Sequence, residues 1–235
     1  MKRPHAMGRR AYLAAAAAAG TSAIAGCFGG ATGSSSGGSE QETYLEPPDS
    51  QVDPEDLPYP GYGQLLPDVT LPAPLHGEEV SIRQFETDVV VTFFYSYCQT
   101  VCPRLVGALR NIQAEAGADG YGDDVTFLAI TFDPERDTES RLREYAGNMN
   151  VDRDADNWYF LRPESVSRAE TVVSDEFGVA FQRTEPEDMD MYMFNHFSLT
   201  ALANAGNYVE KAYTDKRPAW QEIYGAFETL REREG

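Results

Sequence analysis

Val89-Val90-Val91-Thr92-Phe93-Phe94-Tyr95-Ser96-Tyr97-Cys98-Gln99-Thr100-Val101-Cys102-Pro103 is the stretch that decides the fold. Its first half is a run of β-branched and aromatic residues with no breaker inside, as in a short buried strand. Its last residue, Pro103, suits the first turn of a helix, where a missing N–H costs little. Two thiols therefore sit at a strand-to-helix turn. Unpaired backbone N–H groups and the helix dipole favour thiolate over thiol there. Thiolates serve two chemistries, soft-metal binding and disulfide exchange.

Outward from this stretch, strands and helices alternate. Asp68 to Leu75 and Glu79 to Ile82 read as a hairpin around His76-Gly77, with His76 as plain surface in the turn. Val89 to Tyr95 is the first central strand, and Cys102 to Ala116 is a helix ending at Gly117. Val125 to Phe132 is a second apolar strand. Thr138 can cap a helix that runs from Glu139 to Gly147, with Arg141 and Arg143 pointing to solvent. Trp158 to Leu161 is a short strand, and Ser165 can cap a helix running to about Phe177. Phe177 to Gln182 reads as another short strand, followed by an acidic loop. Phe197 to Ala203 and Asn207 to Tyr213 form a late hairpin. Pro218 opens a last helix, Ala219 to Arg231, with Trp220, Ile223, Tyr224, Phe227 and Leu230 at helical spacing. The order predicts an α/β sandwich with an N-terminal β-hairpin and a late β-hairpin. With a cysteine pair after the first central strand, this is the thioredoxin-like plan.

Cys98 and Cys102 are four positions apart, so a helical first turn places both sulfurs on one face. The pair can close to a disulfide or clamp a soft ion, Cu(I) by preference or Zn(II) if more ligands arrive. Thiol-disulfide oxidoreductases commonly have two residues between their cysteines. The three found here lean toward metal. A third donor is His196, in Met193-Phe194-Asn195-His196-Phe197, just before the expected strand Phe197 to Ala203. Oxidoreductases of the thioredoxin-like plan usually carry a proline there, packed against the cysteine loop. Topology therefore aims the imidazole at the thiols, and two thiolates with one imidazole accept copper in both oxidation states. Asp133 is either a turn residue of the strand-to-helix loop or an outer-shell support for the site. The alternation Met189, Met191, Met193 suits packing better than copper binding.

The chain of 235 residues carries 38 acidic and 19 basic side chains. Four of the basic ones, Lys2, Arg3, Arg9 and Arg10, open the leader, which leaves 15 against 38 and a net charge of −23. Such a charge argues against nucleic acid and anionic lipid as partners. Dense carboxylates and only three lysines (Lys2, Lys211, Lys216) point to a halophilic habitat. Residues 1–26 read as an export signal. The run Ala11 to Ala25 is too short to span a bilayer, and Arg9-Arg10 resembles a twin-arginine signal. Ile24-Ala25-Gly26-Cys27 resembles a lipobox, which makes Cys27 the expected lipid anchor. Residues 27–64, rich in Gly, Ser, Pro and acids, read as a flexible tether, and 65–235 as the folded domain. With Cys27 lipidated, Cys98 and Cys102 remain as an even pair in an exported protein.

Three features in order resemble the Sco/SenC family: Cys98-x-x-x-Cys102-Pro103 after Phe93-Phe94-Tyr95, then Asp133-Pro134-Glu135-Arg136-Asp137-Thr138, then the late His196. The resemblance runs from about Leu65 to Leu230. It implies a membrane-tethered, thioredoxin-like copper-binding protein on the outer face of the cytoplasmic membrane. Its ligands would be Cys98, Cys102 and His196, holding Cu(I) and also Cu(II). Its partners would be a copper donor protein and the copper-bearing subunit of cytochrome c oxidase, whose dinuclear copper site it helps assemble. A thiol-reducing role toward that subunit is also implied, with Cys98 attacking and Cys102 resolving. Copper delivery by ligand exchange would involve no enzymatic turnover, whereas the thiol-reducing role would make the chain a thiol-disulfide oxidoreductase. The chain departs from the family's usual pattern at Gln99, where Pro is common, at Tyr97, where His is common, and at Asn195, where Asp is common. Asn195 would orient the loop as an outer-shell group without adding a charge. A peroxidase of the peroxiredoxin type is disfavoured, because Tyr95 stands where a Thr is required three residues before Cys98.

Overall fold

A computed structural model describes residues 43–187 and 189–234. The expected export signal and Cys27 lie outside them. Among the described residues, no helix is long and apolar enough to cross a membrane.

The two long apolar runs form the centre. Strand β3 (Asp88–Phe94) and strand β4 (Val125–Thr131) are buried at every position. They pair in parallel, as continuous apolar runs covered on both faces should. Strand β5 (Trp158–Leu161) pairs in parallel with β4. On the other side, β8 (Thr200–Ala203) runs antiparallel to β3, and β9 (Val209–Tyr213) antiparallel to β8. The sheet order is β5-β4-β3-β8-β9. Consecutive side chains of a strand point to opposite faces. Phe94 stacks at 5.3 Å on Tyr145 of helix α2 (Glu139–Asn148), while Phe93 meets Phe177 edge-on at 4.9 Å, beyond helix α3 (Val166–Ala169). The sheet is thus covered on both faces, the layering expected of a thioredoxin-like sandwich.

Helix α1 (Cys102–Asp119) runs three residues past the expected end, because Gly117 is tolerated inside it and Gly120, at φ +83°, makes the left-handed stop. Thr138 and Ser165 cap α2 and α3 as read from the sequence, accepting from the backbone N–H of Arg141 and Arg168. Beyond α3 the chain widens into a π-type turn over Glu170–Glu176. Helix α4 (Trp220–Glu234) closes the domain against α1. The N-terminal hairpin pairs β1 (Thr70–Ala73) with β2 (Glu78–Ser81). His76 is not plain surface: its Nε2 lies 3.0 Å from the Trp158 carbonyl oxygen and its ring stacks at 4.5 Å on Tyr159, which fastens the turn to β5.

Two further expectations are corrected. The strand read over Phe177 to Gln182 lies later, as β6 (Phe181–Thr184), and pairs with β7 (Met193–His196) in a hairpin of its own. His196 therefore ends a strand instead of leading into β8. The tether read over 27–64 is not free from residue 43 onward. Glu210, fully buried, accepts from the N–H groups of Tyr44 (2.8 Å) and Leu45 (2.9 Å) and from the amide of Asn204 (2.7 Å). Gly63 N–H donates to the Val209 carbonyl, and Val209 N–H to that of Gln64. One buried carboxylate and a backbone pairing hold this arm without any apolar periodicity.

The arm also crosses Gly178, which has φ +65°. A Cβ built there would lie 1.6 Å from the carbonyl oxygen of Pro58. Gly178→Ala should therefore lift the Pro58–Tyr59 peptide away and destabilise the domain by about 1–2 kcal/mol, the usual cost of a left-handed alanine. The checks are thermal unfolding and hydrogen exchange at residues 57–60. Unchanged exchange there would rule out the arm contact.

Candidate metal centre

Cys102 is the first residue of α1, and no side chain caps that helix in the usual way. The cap comes instead from sulfur: Cys102 N–H donates to Cys98 Sγ at 3.4 Å. A free helix N–H favours a negative acceptor, so the turn itself selects for thiolate at Cys98. Thr100 Oγ1 lies 3.7 Å from the same sulfur. Both cysteines are free, with Cys98 6% exposed and Cys102 fully buried. Hydrogen bonding from Cys102 is the largest influence on Cys98 and holds its pKa well below the ordinary thiol range, against the opposing effect of burial. Burial, and then the neighbouring Cys98, push Cys102 upward. The turn therefore favours the negative charge on Cys98 over Cys102.

His196 reaches the pair from the end of β7. Its Nε2 lies 3.7 Å from Cys102 Sγ. Its Nδ1 lies 2.9 Å from the carbonyl oxygen of Phe197, which can only accept. Nδ1 therefore carries the proton, and the Nε2 lone pair faces the sulfurs. The ring rests on Phe132 at 5.1 Å, and Phe194, on the same face of β7, packs on Phe132 and Tyr95. Burial pushes the Tyr95 phenol up to about 12, with the cysteine sulfurs adding to the rise. Its hydroxyl oxygen accepts from Phe194 N–H at 3.4 Å and tightens the hairpin onto the cysteine loop.

One donor atom from each of Cys98, Cys102 and His196 lies within 4.8 Å of the others. Metal–sulfur bonds of about 2.3 Å put the donors of a trigonal site about 4 Å apart. Two soft sulfurs and one imidazole at this spacing suit a three-coordinate soft ion.

The other expected residues fall elsewhere. Asn195 is exposed, on the face of β7 opposite His196, and pairs across the ladder with Gln182. It does not support the imidazole. Asp133 is buried but turns toward the Arg136 guanidinium and the Tyr192 hydroxyl, 2.8 Å away. Its part in the site is indirect. Met189 and Met191 are exposed, and Met193 packs on the core.

The carboxylate under the cysteine loop is one that sequence reasoning passed over. Asp137 is fully buried and accepts from Ser96 N–H (3.2 Å), Ser96 Oγ–H and Thr131 Oγ1–H. Arg141, expected in solvent, donates to Ser96 Oγ (2.8 Å) and to the Ser96 carbonyl (2.7 Å). Ser96, two residues before Cys98, is thereby pinned from both sides. The available signal was polar Ser96 directly after the aromatic run Phe93-Phe94-Tyr95, since a buried polar residue needs partners.

Comparison with known proteins identifies relatives in sequence and in fold. The family model described as SCO1/SenC matches residues 74–230. The SCO1 protein homolog of Bacillus subtilis (strain 168) is 26% identical over 122 residues, covering 52% of this chain and 61% of its own length. The chain thus spans about three fifths of that relative. Solved structures of Sco proteins share the fold, among them the following two. BsSco, described as carrying a disulfide switch and as a member of the Sco family of cytochrome c oxidase assembly proteins, matches with a TM-score of 0.56 and 21% identity, over 74% of this chain and 96% of its own. Copper-bound ScoI from Bradyrhizobium japonicum matches with a TM-score of 0.58 and 18% identity, over 71% and 99%.

Proposed function

The chain belongs to the SCO1/SenC family, and from that premise we propose that it is a membrane-anchored, extracytoplasmic copper chaperone for cytochrome c oxidase. Cu(I) is the cargo. Cys98, Cys102 and His196 hold it, and the same donors accept Cu(II). A copper donor protein loads the site, and ligand exchange passes the ion to the copper-bearing subunit of the oxidase. The observation that carries this reading is the Nε2 lone pair of His196 facing two sulfurs, with its tautomer fixed by Phe197. The copper-bound relative and the oxidase-assembly relative support the cargo and the partner. Export and anchoring rest on the leader, Arg9-Arg10 and Cys27. The net charge argues against nucleic acid as a partner.

Reduced protein should bind one copper per chain. His196→Ala should weaken Cu(I) by at least about tenfold in competition with a chelator, and leave oxidation of the dithiol intact. Unchanged affinity in that variant would sink the three-donor site.

A second reading is thiol-disulfide exchange, favoured by the unequal thiols. Cys98, the thiolate, would attack a partner disulfide, and Cys102 would then displace the partner thiolate. The partner gains two electrons and the protein ends with a Cys98–Cys102 disulfide. Rapid reduction of a model disulfide with no copper retained against a chelator would select this reading.

A further inference from the structure

We propose that Arg136 is a positioning residue for the third donor. Its guanidinium clamps the β6–β7 hairpin to the cysteine loop and so sets His196 beside the thiols. The inference rests on the three-donor reading above.

The carrying observation is a chain of stacked cations and rings. The Arg136 guanidinium carbon lies 3.5 Å from the centroid of the Tyr192 ring, and that of Arg183 lies 3.7 Å from it. Two guanidiniums that close to one centroid must take opposite faces. Arg136 is also 4.8 Å from the Tyr97 ring, and Arg141 is 4.5 Å from it. The order is Arg183, Tyr192, Arg136, Tyr97, Arg141. It runs from β6, through the segment before β7, across the loop after β4, over the cysteine loop and into α2.

Arg136 is the link that joins the two halves. Tyr97 immediately precedes Cys98, and Tyr192 immediately precedes β7, the strand that ends in His196. Arg136 Nη1 donates to the Tyr192 carbonyl oxygen at 2.8 Å, and Arg136 Nε donates to Asp133. The Tyr192 hydroxyl donates to the same carboxylate. One guanidinium thus fixes the ring, the backbone and, through Asp133, the hydroxyl of Tyr192. This gives the buried Asp133 its task.

A planar, five-donor cation is needed for this. It stacks between rings and donates in fixed directions, whereas lysine is a point charge on a flexible stem. At its base the hairpin is held by Phe132, Phe181 and Phe194. That cluster keeps the hairpin folded. The Arg136 stack sets its register over the cysteines.

The test is a double-mutant cycle in Cu(I) affinity, with Arg136→Gln, His196→Ala and the double variant. Arg136→Gln should weaken Cu(I) about 10–100-fold, the usual range for loss of an outer-shell partner. The double variant should bind no more weakly than His196→Ala alone, because Arg136 acts through that histidine. The Cu(II)–thiolate absorption of Arg136→Gln should shift toward that of His196→Ala, and Arg136→Lys should not restore it. Dithiol oxidation should be unchanged. Additive losses, or full affinity in Arg136→Gln while His196→Ala is weakened, overturn the inference alone. Full affinity in His196→Ala overturns the three-donor reading and the inference with it. If Arg136→Gln fails to fold, Tyr192→Leu removes the ring and keeps apolar bulk, and the same cycle applies.

Discussion

Cys98→Ser is expected to abolish stoichiometric copper binding while the domain stays folded. The loss should exceed the about 10–100-fold that an outer-shell change costs, because a soft anionic donor is replaced by a hard neutral hydroxyl that Cu(I) binds poorly. The fold should survive for a local reason. Cys98 Sγ accepts the Cys102 N–H at the start of α1. Serine oxygen is a good acceptor for such a group. Cys102→Ser should differ in one respect. Cys102 is fully buried, so its hydroxyl would lose solvation, with His196 as its neighbour, and that variant should lose stability as well as copper. The comparison needs only a chelator-competition titration and a melting curve on each. If Cys98→Ser still holds one copper at the parent affinity, the metal lies elsewhere.

The two serine variants also bear on what the sequence could say about the site. Cys98, Cys102 and His196 were legible because their chemistry is rare in the chain. Only three cysteines and three histidines exist, and one of each, Cys27 and His5, precedes the described residues. The support around them was not legible. Asp133 and Asp137 stand four residues apart in one polar loop, and nothing in their spacing says which one turns inward beneath Ser96. Arg141 has the pattern of a solvent-facing helix residue, yet its length carries the guanidinium back to the cysteine loop.

The same contrast holds for the fold. β3 and β4 are runs dominated by apolar and β-branched residues, and Thr138 and Ser165 announce their helices by capping chemistry. β6 and β7 are four residues each, with no position fully buried. Their pairing is stabilised by aromatic contacts to Phe132 and Tyr95, which come from β4's end and the cysteine loop. A strand defined by distant contacts leaves little periodicity to read. The arm over residues 43–64 is a sharper case. Its attachment depends on Glu210, more than 160 residues away in sequence, so local composition describes it as a tether.

Asp137 should make the apo-protein less stable as pH rises from 4 to 7. Burial raises its pKa from 3.8 to about 6, with the nearby Asp133 adding to the rise and the donors Ser96 and Thr131 opposing it. The folded state therefore binds a proton that the unfolded state has already released between those two values. Stability falls with pH wherever the native state binds more protons. The contribution is complete below pH 4 and lost above pH 6. A shift of about two units is worth about 3 kcal/mol. Asp137→Asn removes this term while keeping an acceptor for Ser96 N–H and a donor toward the hydroxyl oxygens. Measured by denaturant unfolding of the copper-free protein, the variant should gain about 3 kcal/mol on the parent between pH 4 and pH 7. Taking the difference cancels the other carboxylates, which matters in a chain with 38 acidic residues. Burial and hydrogen bonding pull in opposite directions at this site, and the slope decides between them. A flat difference, or one that moves against the asparagine, would mean that three converging donors outweigh desolvation and that Asp137 underpins the cysteine loop as an anion.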